Sequence, residues 1–212
     1  MRNEQVAELL YQAYEVEQGG VKVYETALKC AEHDELREEW EEYLEQTREH
    51  VNIVREVMEG FDLDPEAETP GRGVCRHIGE SLVRAMEMAL ESGVPGAAQI
   101  VAAECVVLAE TKDHLDWELI GLLAEKMKGD EGKALKDAYK KVEEQEDEHL
   151  YHTQGWAREL WVDSLGLPAV LPPPEEEKDV KSASAAERAK SSRKRMTKKS
   201  EKSSEKSRAK ND

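Results

Sequence analysis

Apolar residues recur along this chain at spacings of three and four, and strand-type alternation is absent, so helices are the regular elements the pattern supports. Five are predicted. The first runs from about Asn3 to Ala31, and the second continues to about Gly60 with Asp34 as its candidate N-cap. The segment FDLDPEAETPGRG reads as a loop from its Pro, Gly and Asp content. A shorter amphipathic helix follows, from about Val74 to Ser92, with Ile78, Leu82, Ala85, Met86, Ala89 and Leu90 on one side. The third long helix starts at Pro95, a residue suited to a first turn, and reaches about Lys128. Gly129 and Asp130 turn the chain, Asp130 caps the last helix, and Gly166 and Pro168 stop it after about Leu165.

Two long hairpins joined by a crossover carrying its own helix is a connectivity that ferritin-like four-helix bundles use. A simple up-down-up-down bundle needs no connection that long. The inner seam of the first helix, traced at alternating three and four spacing, reads Leu10, Ala13, Glu17, Gly20, Tyr24, Ala27. The second reads Leu36, Trp40, Tyr43, Thr47, His50, Val54, Val57. The third gives Ile100, Ala103, Val107, Glu110, His114, Trp117, and the last Leu135, Tyr139, Val142, Glu146, His149, Thr153, Trp156, Leu160. Metal-ligand residue types interrupt every stripe near its middle. Glu17 stands 16 residues before His33 and His50 stands 16 after Asp34, while Glu110 stands 19 before Gly129 and His149 stands 19 after Asp130. Within each antiparallel hairpin these groups are therefore expected to face one another.

A carboxylate taken out of water without a partner costs several kcal/mol or takes up a proton. Three carboxylates and three imidazoles in one core need a shared counter-charge, which one or two divalent cations provide. Oxygen and imidazole donors without thiolate favour iron or manganese, with zinc also open. The expected ligands are Glu17, His50, Glu110, His114, Glu146 and His149.

Composition narrows the setting. With 39% hydrophobic, 36% charged and 5% aromatic residues, the chain suits one helical core better than a sandwich or barrel. The net charge of -17 hides a split: residues 180–212 carry twelve Lys and Arg against four Asp and Glu, which leaves 18 against 43 for residues 1–179. An acidic body repels nucleic acid and anionic membrane, so phosphate-backbone binding falls to the basic tail, 180–212, whose plainer reading is a solubilising segment. Residues 1–170 are expected to form the helical domain. Residues 171–212 read as a Pro-rich linker and a disordered Lys/Ser-rich tail, in which SAAERAKSSRKRM is a segment able to become helical on a partner. Three scattered cysteines, Cys30, Cys75 and Cys105, contain no CxxC pair and suggest a reducing compartment. The N-terminus reads as a helix start, not a signal peptide, and no apolar run is long enough to span a bilayer, so a cytoplasmic protein without membrane contact is expected.

Glu17 with Tyr24 seven residues later, TREH ending at His50, Glu110 with Trp117 seven later, and EDEH ending at His149 together resemble the duplicated Glu plus Glu-x-x-His pattern of the rubrerythrin and bacterioferritin-like superfamily. The resemblance covers roughly residues 3–165. It implies two iron or manganese ions held between helices by Glu17, His50, Glu110, Glu146 and His149. Thr47 departs from the pattern, occupying the place of the first Glu-x-x-His glutamate, and His114 is the candidate replacement. The phrases KVYETALKCAE, DHLDWELIGL and DEHLYHTQGWARELW also resemble uncharacterised bacterial ferritin-like proteins.

Plainer readings stand beside these. Glu146 with His149 also suits a hydrogen-bonded core pair, and Glu17 and Glu110 also suit carboxylates satisfied by tyrosine hydroxyls or a proton. His114 suits a solvated or outer-sphere histidine equally well. Gly19 and Gly20 cost helix propensity, roughly 2 kcal/mol against two alanines, and admit a close helix approach, a π-bulge or a tolerated kink. Tyr24, Trp117 and Trp156 suit core packing, the cysteines suit small core residues, and His33, His77 and His152 carry no assigned role. The functional expectation is a di-metal oxidoreductase, ferroxidase- or peroxidase-like, acting on Fe(II) or a small oxidant and assembled as a homo-oligomer. The alternatives are metal storage without turnover and a metal-free, stress-related bundle, either of them nucleic-acid-associated through the tail.

Overall fold

The computed structural model describes residues 3–94 and 96–168. The expected start at Pro95 and the linker and basic tail expected over 171–212 lie outside them. Among the described residues there are five helices and no strand: α1 (Asn3–Cys30), α2 (Asp34–Gly60), α3 (Pro70–Glu91), α4 (Ala97–Lys126) and α5 (Gly129–Ser164). No helix among them is long and apolar enough to cross a membrane. Helices α1, α2, α5 and α4 form a closed ring of neighbours, and α3 lies outside it against α1 and α4.

The helix ends follow local chemistry. The turn between α1 and α2 is held by Gln99 Oε1, which accepts from the backbone N–H of Glu32 at 2.6 Å and of His33 at 2.8 Å. His33, not Asp34, occupies the N-cap, and Asp34 and Glu35 sit in the first turn, where negative charge suits the helix dipole. Lys128 similarly takes the N-cap expected of Asp130. Helix α3 begins four residues before the expected Val74. Thr69 caps it by accepting from Arg72 N–H, and Pro70 fills the first position. Gly71, counted as loop, is helical because α3 lies so close to α1 that a Cβ there would collide with the side chains of Glu8 and Gln12. Helix α5 ends as expected at Gly166 (φ 67), with the N–H of Leu167 bonded to the carbonyl of Val162 at 2.9 Å.

On α3, Met86 is fully buried and Leu82, Ala85 and Ala89 pack against the core, but Ile78 and Leu90 are exposed. The contact is narrower than the apolar stripe because α3 covers the bundle from one side only. It is fixed by charge as well: Arg72 donates to Glu15 at 2.6 Å, Arg76 donates to the same carboxylate at 2.8 Å, and both Arg72 and Glu15 are buried.

Inside the ring the apolar core is divided. One cluster takes α1 from Val23 onward, α2 up to Leu44, α4 up to Val106 and Leu160 of α5. The other takes α1 up to Tyr14, α2 from Ile53, α4 from Trp117 and α5 up to Val142. All four helices therefore pass through a polar layer at matching height, which contains Glu17, Thr47, His50, Glu110, Asp113, Glu146, His149 and Thr153, each at most 4% exposed.

Candidate metal centre

Two groups of potential ligands converge in that layer. Glu17, His50 and Glu146 each place one ligand atom within 4.8 Å of the others, and Glu110, Glu146 and His149 do the same. Glu146 belongs to both. His50 Nδ1 lies 3.1 Å from a Glu146 oxygen and 3.6 Å from a Glu17 oxygen. His149 Nδ1 lies 3.6 Å from Glu110 and 3.6 Å from Glu146. The two imidazoles are 5.8 Å apart, centroid to centroid, and roughly parallel.

Four of these five side chains, all but Glu146, are oriented by a neighbour from another helix. His50 Nε2 meets Gln145 Oε1 at 2.7 Å, and His149 Nε2 meets Gln46 Oε1 at 2.7 Å. An amide oxygen only accepts, so Nε2 is the donor in both rings and Nδ1 is the nitrogen that faces the cluster. Trp117 Nε1 donates to Glu17 Oε1 at 2.7 Å, and Tyr24 hydroxyl donates to Glu110 Oε1 at 2.8 Å. Both rings sit at the inner border of an apolar cluster and reach into the polar layer. They were expected as packing residues and also serve as donors; the glutamate seven residues earlier on the same helix is not their partner.

Five of the six expected ligands therefore meet. His114 does not: it is half-buried and pairs with Asp147 on α5 at 3.0 Å. The cause is the phase of the α4 seam. Ile100, Val107 and His114 are only partly buried, whereas their chain neighbours Gln99, Val106 and Asp113 are buried. At i+3 from Glu110 it is Asp113 that faces inward. The other seams hold as drawn, except that Tyr139 and Trp156 on α5 are partly exposed.

Electrostatically the cluster is unfinished. Burial raises the Glu17 carboxyl well above its ordinary 4.5, and the charge of Asp113 adds to this against the opposing pull of His50. Glu146 is likewise raised, by burial and then by Glu110. Asp113 is raised by burial, Glu146 and Glu110. Eight buried polar atoms in the layer have no hydrogen-bond partner: Glu17 Oε2, His50 Nδ1, Glu110 Oε2, Asp113 Oδ1, both Glu146 oxygens, His149 Nδ1 and Thr153 Oγ1. Native structures leave few buried polar groups unpaired. A concentration of hard oxygen and imidazole donors could hold a divalent cation, whose charge would satisfy the unpaired donor atoms together.

Thr47 fills the position equivalent to Glu146 on α2. Its hydroxyl donates back to the carbonyl of Tyr43 at 2.8 Å, and a Cβ on Gly20 would lie 3.2 Å from its methyl. Of the three readings of the glycine pair, close helix approach is the one realised at Gly20: α1 is continuously α-helical there.

The ring of helices and this layer define the class: an all-helical bundle with a buried carboxylate–imidazole cluster. More particularly, the chain belongs to the family described as a domain of unknown function (DUF892), which matches residues 3–153 and so includes every residue of the cluster. Neither the curated proteins nor the solved structures show a match to this chain.

Proposed function

We propose that this chain is a ferritin-like protein whose polar layer holds two iron or manganese ions and supports redox chemistry on Fe(II), peroxide or oxygen. Glu17 and His50 would hold one ion and Glu110 and His149 the other, with Glu146 common to both groups. The observation that carries the reading is the pair of triads sharing Glu146, with their unpartnered donor atoms turned toward one another in a dry interior.

When bound, such a metal pair exchanges electrons with a small oxidant. The chain's own residues set the conditions. Gln46 and Gln145 fix the imidazole tautomers, and Tyr24 and Trp117 each hold one oxygen of a glutamate while leaving the other free. The cluster is 0–2% exposed, which excludes bulky substrates and favours peroxide, oxygen or Fe(II) itself. With no CxxC pair in the sequence, electrons come from Fe(II) or from a separate protein.

Elemental analysis of protein purified without chelator tests the reading: two iron or manganese ions per chain are expected, with fewer in Glu17→Ala and Glu146→Ala. Unchanged occupancy in both variants overturns it. Peroxide or oxygen consumption on adding Fe(II) separates turnover from storage.

A further inference from the structure

Thr47 stands where the matching position of the second half carries a carboxylate, Glu146. The two halves of the bundle correspond position by position: Glu17, Gly20 and Tyr24 on α1 match Glu110, Asp113 and Trp117 on α4, while Gln46, Thr47 and His50 on α2 match Gln145, Glu146 and His149 on α5. In the first half the carboxylate position carries Thr47, and the facing position is Gly20, whose missing side chain leaves room for the threonine methyl. In the second half the carboxylate is present as Glu146, and the position matching Gly20 carries Asp113.

We propose that Asp113 is the fourth carboxylate of the metal centre, a ligand in place of the one absent at Thr47. Asp113 is 4% exposed and its Oδ1 has no hydrogen-bond partner. After burial, the largest charges acting on it are those of Glu146 and Glu110, and its own is the largest acting on Glu17. Lys112, the adjacent cation, is bonded to Asp116 and leaves that oxygen without a partner. Charge counting agrees. Glu17, Glu110 and Glu146 leave two divalent ions with one positive charge uncompensated in a dry core, and a fourth carboxylate brings the sum to zero with both histidines neutral. The centre is therefore asymmetric, with the extra oxygen on the α4 side. His114, one residue further along, faces away toward Asp147.

This inference rests on the reading that the layer binds two ions, and the test separates the two. Mn(II) binding to the full chain is measured by calorimetry for wild type, Asp113→Asn and Glu146→Gln. The expected result is two ions in wild type, at least tenfold weaker binding of one ion in Asp113→Asn with the other unchanged, and loss of tight binding in Glu146→Gln. Two ions bound by Asp113→Asn as tightly as by wild type, with Glu146→Gln defective, overturns the role of Asp113 alone. No binding by wild type overturns both. A measurement on wild type keeps the proposal testable should the variant fail to fold: with 13C placed only in aspartate carboxyl groups, two equivalents of Mn(II) should shift one aspartate carboxyl band in the infrared difference spectrum. The other ligands are glutamates and imidazoles, so an unchanged aspartate region refutes the assignment.

Discussion

Replacing Glu146 with Gln should move the stability of the metal-free and metal-loaded protein in opposite directions. In the metal-free chain, Glu146 is 1% exposed, has no hydrogen-bond partner on either oxygen and faces Glu110 and Glu17. Its carboxyl is raised above the ordinary 4.5, by burial first. A raised carboxyl contributes stability that is complete below its unfolded value and is lost as pH rises toward its folded value. At pH 7 the isosteric amide removes that loss, so metal-free Glu146→Gln should melt at or above wild type, and the difference should close as pH approaches 4.5. Metal reverses the order. A ligand at about a thousand times its Kd stabilises the folded state by about 4 kcal/mol. In a domain of this size about 1 kcal/mol moves Tm by roughly 2–4 °C, so wild type should gain roughly 8–16 °C with saturating Mn(II). Glu146→Gln loses a donor to both ions and should gain almost nothing. Thermal scans at pH 4.5, 6 and 7.5, with Mn(II) and with chelator, read all of these quantities. An equal Mn(II) gain in both proteins, or a metal-free variant that is clearly less stable than wild type at pH 7.5, refutes the account of Glu146 as a bridging ligand held in an unsatisfied pocket.

Three further outcomes follow from named contacts. Gln46→Leu or Gln145→Leu removes the acceptor that fixes an imidazole tautomer and should weaken Mn(II) binding by about 10–100-fold with little change in fold, read by calorimetry and circular dichroism. His114→Ala should leave metal occupancy unchanged. The hydrogen bond to Asp147 raises His114 above its ordinary 6.5, so the stability lost in this variant should be larger at pH 5.5 than at pH 9, as chemical denaturation at the two pH values will show. Gly121→Ala places a methyl 2.7 Å from the Tyr139 ring, between α4 and α5, and should cost about 1–3 kcal/mol in urea unfolding; a neutral result refutes that close approach.

Legibility in the sequence tracked the contrast between helix faces. On α1 and α2 every residue of the expected seam is buried, since charged residues on the outer faces leave one possible phase. Helix α4 is apolar on its outer side as well, with Leu108, Leu115, Leu119 and Leu122 exposed. Spacing alone could not decide which of two adjacent positions faced inward, and His114 was placed where Asp113 stands. The start of α3 was hidden for a different reason. Its Pro and two Gly look like loop residues, but they are a first-turn proline and, at Gly71, a close contact with α1. The glutamines left a visible trace in the repeated Q-x-x-x-H of QTREH and QEDEH. Their role was not legible, because each glutamine serves the histidine of the opposite helix.

That crossed wiring joins two unequal halves, in which Thr47 stands at the position matching Glu146. Glu110, Glu146 and His149 come from α4 and α5, so the second hairpin holds a complete triad of its own. The first hairpin does not: Glu17 and His50 complete their triad only by borrowing Glu146. Gln145, Gln46, Tyr24 and Trp117 each reach across from one hairpin to orient a ligand on the other, so both triads depend on the hairpins being docked. Apolar clusters on either side of the polar layer join the same two hairpins. A threonine at position 47 therefore leaves all four orienting contacts between the hairpins in place.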